Sequence, residues 1–220
     1  SKGVYEPDDD MMIMSSDVTS FYPNLAIKNQ WSPGHFPKKE FCDQYEWFFE
    51  ERKKIPKSNP MNYVYKIILN STFGLSNDEN SFFYDPELCM RITINGQLSL
   101  SMLYEMICEE IPGAIPLMQN TDGLETMIPR QHVEKYMEIC KRWEDMTNLQ
   151  LEHDTYSKIV LGDVNNYIAV TEDGKSKCKG RFEYKDLAMH KNKSFLMFFE
   201  CALDAPGELP RAPGDARVDA

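Results

Sequence analysis

At 220 residues with 42% hydrophobic content, the chain is long enough to bury one sizeable core, or one core with a small appendage, and its composition is that of an ordinary globular protein. A formal net charge of −11 excludes nonspecific nucleic-acid binding by bulk attraction, so any such contact falls to local basic clusters. The six cysteines, at 42, 89, 108, 140, 178 and 201, form no C-x-x-C pair and no zinc-spaced Cys/His cluster, which predicts free thiols in a reducing cytosol rather than a disulfide framework or structural metal.

The opening residues, "SKGVYEPDDD", carry neither the basic head nor the apolar run of a signal peptide. No stretch approaches the length of a membrane-spanning helix, and the expectation is a soluble, intracellular, cytoplasmic protein. "MMIMSSDVTSFYP" then reads as a buried strand ending in Ser, Asp and Thr, with Pro23 limiting its continuation. Residues 40–55 place Phe41, Tyr45, Phe48 and Phe49 on one helical face and end in Arg52, Lys53 and Lys54, a basic last turn. "PKSNP" breaks that helix. A second, "MNYVYKIILNSTFG", follows at once and stops at Gly74, so residues 40–74 read as two antiparallel helices.

From Pro86 to about Glu110 runs a long helix, with Leu88, Ile92, Leu98, Met102 and Met106 as candidates for burial. A strand, turn and strand occupy 115–128, and "QHVEKYMEICKRWEDM" is an amphipathic helix with Val133, Tyr136, Met137, Cys140 and Trp143 facing inward. Alternation in "NLQLEHDTY" and "SKIVLGDVNNYIAV" predicts two or three further antiparallel strands, with "EDG" at 172–174 as a hairpin turn. The fold class that results is α+β: helices backing an antiparallel β-sheet. The last nineteen residues, "ALDAPGELPRAPGDARVDA", switch abruptly to Ala, Pro and Arg, as a frameshift or an appended sequence would give, and are expected to be disordered.

Three stretches carry chemistry. "DVTSFYP" at 17–23 puts a carboxylate at the end of a buried strand, before a tight turn whose backbone N–H groups face the same space, a combination suited to a divalent metal carrying a polyphosphate. "KIILNSTFG" at 66–74 places Lys66, Asn70 and Phe73 or Gly74 on one helical stripe, where a cation, an amide and an aromatic edge can meet phosphates at one end and a flat base at the other. "NTDG" at 120–123 holds Asp122 at a hairpin tip, with Asn120 two places before it. Each has a plainer reading: a capping aspartate, a solvated face beside a core of Ile67, Ile68 and Leu69, and an aspartate that suits turn geometry.

In order and in spelling, the three resemble the polymerase motifs of family B DNA polymerases, D-x-x-S-L-Y-P, K-x-x-x-N-S-x-Y-G and D-T-D-S. "NNYIAV" at 165–170 sits where the family has its K-x-Y primer-strand motif, with Asn165 in place of the lysine. "CKGRFEY" at 178–184 is similar to the Lys-Gly segment of phage members. The resemblance implies an antiparallel palm sheet backed by helices with a short two-helix fingers insertion: palm at 1–37, fingers at 38–74, palm again at 75–200, and a tail at 201–220. It implies a phage or viral replicative polymerase of which this is a palm and fingers fragment, without the exonuclease domain and most of a thumb.

The same resemblance implies the site. Asp17 and Asp122 would hold two Mg2+ ions, with Mn2+ an alternative, for transfer from deoxynucleoside triphosphates to a primer 3′-hydroxyl. Val18, Ser20 and Phe21 would surround the triphosphate, with Tyr22 beneath the sugar and excluding a 2′-hydroxyl. Lys66 would bind phosphates, Asn70 and Phe73 would border the nascent base pair, and Arg52, Lys53 and Lys57 are further phosphate contacts or a solvated helix end. Thr121, Tyr167 and Lys179 would meet primer–template DNA, Tyr167 being equally readable as a strand tyrosine. Asn120 and Gly123 depart from the family's D-T-D-S. An amide at 120 is expected to keep the turn's hydrogen bonds with less negative charge, at worst weakening or altering metal preference without abolishing activity. Two other readings stand beside synthesis: an inactive fragment that only binds nucleotide or DNA, and a two-carboxylate nuclease, against which the four histidines all lie outside the motifs.

Overall fold

The structure is a computed structural model that describes residues 2–182, apart from the side chain of Arg181. The tail at 201–220, the residues 183–200 assigned to the palm, and with them His190 and Cys201, lie outside the described residues. The described residues form two compact units, one built from 2–16, 107–136 and 153–182, the other from 17–106 and 137–152.

The first unit is organised by an antiparallel sheet. Its strands are β1 (Gly3–Tyr5), β2 (Met11–Val18), β3 (Ile115–Gln119), β4 (Gly123–Pro129), β5 (Leu151–Asp163), β6 (Asn166–Thr171) and β7 (Ser176–Cys178). They lie in the order β3-β4-β2-β5-β6-β7, with β1 paired to β5. Strand β1 leaves no signal in the sequence, since its three half-buried residues are too few to show a period. The two alternating stretches at 148–156 and 157–170 are cut differently from that reading: β5 runs unbroken through Tyr156 and Ser157, and the turn comes at 164–165. The hairpin at 115–128 pairs Ile115 with Met127 and Gln119 with Leu124. The turn at 172–174 is closed by Gly174 at φ 79, a value that glycine adopts without a steric penalty. Ile13, Leu117, Met118, Tyr156, Ile159 and Leu161 form the main apolar cluster of this unit, into which Tyr167 also packs.

The second unit is helical: α1 (Phe21–Lys28), α2 (Lys38–Lys53), α3 (Pro60–Leu75), and most of α4 (Pro86–Glu110) and α5 (Val133–Thr147). Helix α1 was not anticipated. Pro23, read as a stop, sits in its first turn, where a missing N–H costs nothing. Helices α2 and α3 form the expected antiparallel pair. Tyr45 Oη donates to the Leu69 carbonyl at 2.6 Å, and Arg52 Nε to Asn62 Oδ1 at 3.3 Å, so the numbers fall on one helix as they rise on the other. Asn59 caps α3 by accepting from the Met61 N–H, and Pro60 occupies the first helical position. The helix continues one residue past Gly74, to Leu75.

Three burial expectations are corrected. Leu98 is 63% exposed and Met137 39%, and Ile67, expected in the core, is 45% exposed. Leu100, Leu103 and Ile107 of α4 and Ile139 of α5 are buried instead, because the apolar rows of these helices are wider than the face that meets a neighbour. The α+β class stands. Among the described residues, no helix is long and apolar enough to cross a membrane.

Candidate active site

Asp17 is the second-last residue of β2 and half-buried, and Val18 after it is buried. Up to Met14 the strand is apolar because it is enclosed on both faces. Asp122 is exposed in the turn between β3 and β4. Strands β2 and β4 are neighbours in the sheet. The Arg130 N–H donates to the Asp10 carbonyl at 2.8 Å and Ser15 Oγ donates to Glu125 Oε1 at 3.5 Å, so the two strands run antiparallel.

The turn that carries Asp122 is closed by Asn120. Its Oδ1 accepts from the Asp122 N–H at 2.9 Å and from the Gly123 N–H at 2.6 Å, while its own N–H donates to the Gly123 carbonyl at 3.0 Å. An amide therefore makes the turn bonds anticipated for it, by the side-chain-to-backbone pattern that favours Asn and Asp in turns. Thr121 is exposed at the same tip.

In the helical unit, residues from different motifs meet. The Tyr22 ring lies 4.4 Å from that of Phe73 at 41° and 5.7 Å from that of Phe21. Gly96 of α4 makes room for them, since a Cβ there would lie 3.3 Å from both the Phe21 and Tyr22 rings. A glycine inside a helical pattern is the one signal in the sequence that could have marked this close approach. Ser20, in the left-handed conformation at φ 46, accepts from Arg52 Nη1 at 2.8 Å. Arg52 also donates to Asn62, a second residue not picked out in the sequence. Burial lowers the Arg52 pKa, with the Glu152 charge opposing that shift. Helix α3 carries Lys66 and Asn70 exposed and Phe73 half-buried on its stripe.

Other expected residues are placed differently. Lys53 is bridged to Glu50 at 3.0 Å and lies over the Phe49 ring, and Lys57 is bridged to Glu152 at 3.5 Å, both largely exposed, as on a solvated helix end. Tyr167 is 3% exposed within the sheet's apolar cluster, which favours the strand-tyrosine reading of its ring. Lys179 is exposed beside it in the backbone, its N–H donating to the Tyr167 carbonyl at 2.9 Å. Gly180, at φ 63, lets that segment close onto the β5–β6 turn, where a Cβ would lie 2.2 Å from the Asn165 carbonyl.

The donor chemistry at Asp17 and Asp122 is hard carboxylate oxygen, which fits Mg2+. Among the described residues, no group of three or more His, Cys, Asp or Glu side chains could hold a metal by itself.

Comparison with known proteins gives one direction. No family model matches the chain. It is 28% identical over 164 residues to DNA polymerase 1 of Sulfolobus acidocaldarius, a match covering 70% of this chain and 18% of that protein. It is 31% identical over 122 residues to DNA polymerase 1 of Sulfurisphaera ohwakuensis, covering 54% and 14%. In fold it is similar to the family B DNA polymerase of the hyperthermophilic archaeon Pyrobaculum calidifontis, with a TM-score of 0.56 at 18% identity, covering 82% of this chain and 28% of that one. The chain thus spans less than a fifth of the length of the curated relatives it matches. The chain is thus homologous in sequence to part of archaeal DNA polymerase 1 and shares the fold of part of a family B DNA polymerase.

Proposed function

We propose that the chain carries out template-directed DNA synthesis, transferring a deoxynucleotidyl group from a deoxynucleoside triphosphate to a primer 3′-hydroxyl. The observation that carries this reading is the meeting of separate motifs: Tyr22 of the first lies against Phe73 of the second, and Arg52 reaches Ser20. In this assignment residues 1–37 and 75–200 form the palm and 38–74 a minimal fingers hairpin. Lys66 follows Asp17 by 49 positions, which supports a minimal hairpin, and the Lys179–Gly180 pair, similar to a segment of phage members, supports a viral or phage replicative polymerase; exonuclease and thumb domains would act together with it.

Asp17 and Asp122 would hold two Mg2+ ions, or Mn2+, which when bound lower the pKa of the primer hydroxyl and neutralise the leaving pyrophosphate. The residues around them bind and orient. Arg52 and Lys66 supply cations for the triphosphate, and Val18, Ser20 and Phe21 form the turn beneath it, with Lys53 and Lys57 at the margin. The Tyr22 and Phe73 rings give the sugar and base an apolar floor, and Asn70 borders the base. Thr121 and Lys179 contact primer–template DNA, with Tyr167 contributing its backbone and its place in the sheet.

The test is extension of a primed template by the purified chain, with Mg2+ and then with Mn2+, comparing wild type with Asp122→Ala. Wild type is expected to extend the primer and the variant to lose extension. Equal extension by the two proteins, or nucleotide binding by the wild type without any extension, overturns the assignment.

A further inference from the structure

Strand β2 stops being apolar two residues before Asp17. Met12, Ile13 and Met14 are followed by Ser15 and Ser16, which are 1% and 0% exposed. A buried hydroxyl adds almost no apolar area and is costly to bury unless it is hydrogen-bonded, so two in succession inside a core strand need a reason. Their partners supply one. Successive strand side chains point to opposite faces, so Ser15 shares the face of Ile13 and Asp17, whereas Ser16 shares that of Met12 and Met14. On the first face Ser15 Oγ donates to the fully buried Glu125 of β4. On the second, Ser16 Oγ lies 2.7 Å from Tyr136 Oη and 2.8 Å from His153 Nδ1.

Tyr136 is fully buried at the start of α5, and His153 lies on β5, 120 and 137 residues along the chain from Ser16. The His153 ring also stands edge-on to the Tyr136 ring, with centroids 6.4 Å apart. The three groups can form one directed chain of hydrogen bonds. With Nδ1 accepting, Tyr136 donates to Ser16 and Ser16 donates to His153; with Nδ1 protonated the chain runs the other way. In both cases Ser16 is used as donor and as acceptor at once, which fixes its rotamer and the backbone that bears it.

We propose that Ser16, Tyr136 and His153 are positioning residues: a buried brace that fixes the end of β2, and so the backbone from which Asp17 projects, for metal binding. The inference rests on the reading of Asp17 as a metal ligand. Nothing in the spelling of the Asp17 motif calls for a serine before it. The brace draws on strands β2 and β5 and helix α5, which gives the strand end a rigidity that apolar packing alone does not.

The experiment measures Mn2+ binding to the purified chain in the presence of dATP, by electron paramagnetic resonance of free Mn2+, alongside thermal unfolding. The variants are Ser16→Ala, Tyr136→Phe and His153→Leu, with His153→Gln to restore an acceptor. Ile159→Val, in the apolar cluster of the same unit, controls for lost stability, and Asp17→Asn controls for the site. Ser16→Ala, Tyr136→Phe and His153→Leu are each expected to weaken Mn2+ binding about tenfold, the scale of partners that orient metal ligands, with His153→Gln recovering part of the loss. Ile159→Val is expected to bind as wild type does, and Asp17→Asn to lose binding. If Asp17→Asn loses binding while Ser16→Ala and Tyr136→Phe keep it, or if Ile159→Val loses as much as they do, the brace is overturned and the site assignment survives. Unchanged binding by Asp17→Asn, or no binding by wild type, overturns the site assignment and the brace with it.

Discussion

Two turns flank the candidate aspartates, and they are built in opposite ways. The hairpin tip at 120–123 closes on itself: Asn120 satisfies the amides of Asp122 and Gly123 and its own N–H goes to the Gly123 carbonyl. The corner at 19–21 is held from elsewhere in its unit. The Thr19 N–H donates to the Gln150 carbonyl at 2.9 Å, and Ser20, strained into a left-handed conformation, is bonded by Arg52 from 32 residues away. A self-closed turn keeps its shape when other parts change. A corner held at a distance follows whatever holds it, which would suit the triphosphate-binding role proposed for it.

The strongest way to break this contrast is at Arg52. Arg52→Ala removes the donor to Ser20 and to Asn62, and the half-buried position makes the loss worth about 1–2 kcal/mol of stability. If the corner also receives the triphosphate, KM for the deoxynucleotide rises on the order of tenfold, a change in binding of about 1.4 kcal/mol. Arg52→Lys is expected to restore little, because an ammonium cannot reproduce the forked contact to two partners. Thermal unfolding and steady-state extension check both effects. A variant with unchanged stability and unchanged KM would show that the corner holds itself.

The complementary substitution is at the tip. Asn120→Ala leaves two turn amides without their acceptor and is expected to cost about 0.5–1.5 kcal/mol in urea unfolding, the lower part of that range if water replaces the amide oxygen. Asn120→Asp offers the same acceptor and is expected to keep the stability. If Asn120→Asp destabilises as much as Asn120→Ala, the charge beside Asp122 outweighs the turn bonds, and the family's acid at this position needs another explanation.

The same contrast separates what was legible in the sequence from what was not. The tip was legible: Asn120, Asp122 and Gly123 interact within four residues, and their residue types announce the geometry. So were the elements with long, regular periods, α2, α3 and α4, whose ends lie within two residues of those expected. The corner was not, since nothing near Ser20 or Arg52 indicates that they meet, and Pro23 stands where a helix starts as naturally as where a strand ends. The brace at Ser16 was hidden for the same reason, its partners lying on β5 and α5. Leu98 and Met137 were misplaced because hydrophobicity marks the residues able to be buried, and the neighbouring elements decide which of them are.

A third turn sharpens the comparison because its acceptor titrates. Asp85 resembles Asn120 in accepting backbone N–H groups, but it joins distant segments: Oδ1 takes the Leu88 N–H at the start of α4 and Oδ2 takes the Gly34 N–H, 51 residues away. Burial pushes its pKa up, but the Leu88, Gly34 and Glu87 amides outweigh that and hold it below the ordinary 3.8. A lowered folded-state pKa means that the carboxylate contributes stability above about 3.8, and that the contribution is lost as pH falls through the folded value. Unfolding midpoints measured between neutral pH and pH 3 are expected to fall more steeply for wild type than for Asp85→Asn, whose amide does not titrate. Parallel curves would place the acid sensitivity elsewhere. No such limb is expected from Asn120.

The smallest structural effect is expected at Gly74, and it is the most discriminating about the α3 stripe. Gly74 is exposed in the last turns of the helix, and a Cβ there would meet nothing within 4 Å. Gly74→Ala therefore removes backbone entropy from the unfolded chain without a clash and is expected to stabilise by roughly 0.5–1 kcal/mol. Function is expected to move the other way. Gly74 lies one residue from Phe73 and one helical turn from Asn70, so if that stripe borders a nascent base pair, the added methyl group projects into space the nucleotide needs. Stability that rises while extension falls would locate the nucleotide on this face of α3. If both rise together or stay unchanged, the stripe is a solvated helix face, and the contact between Tyr22 and Phe73 is packing within the helical unit.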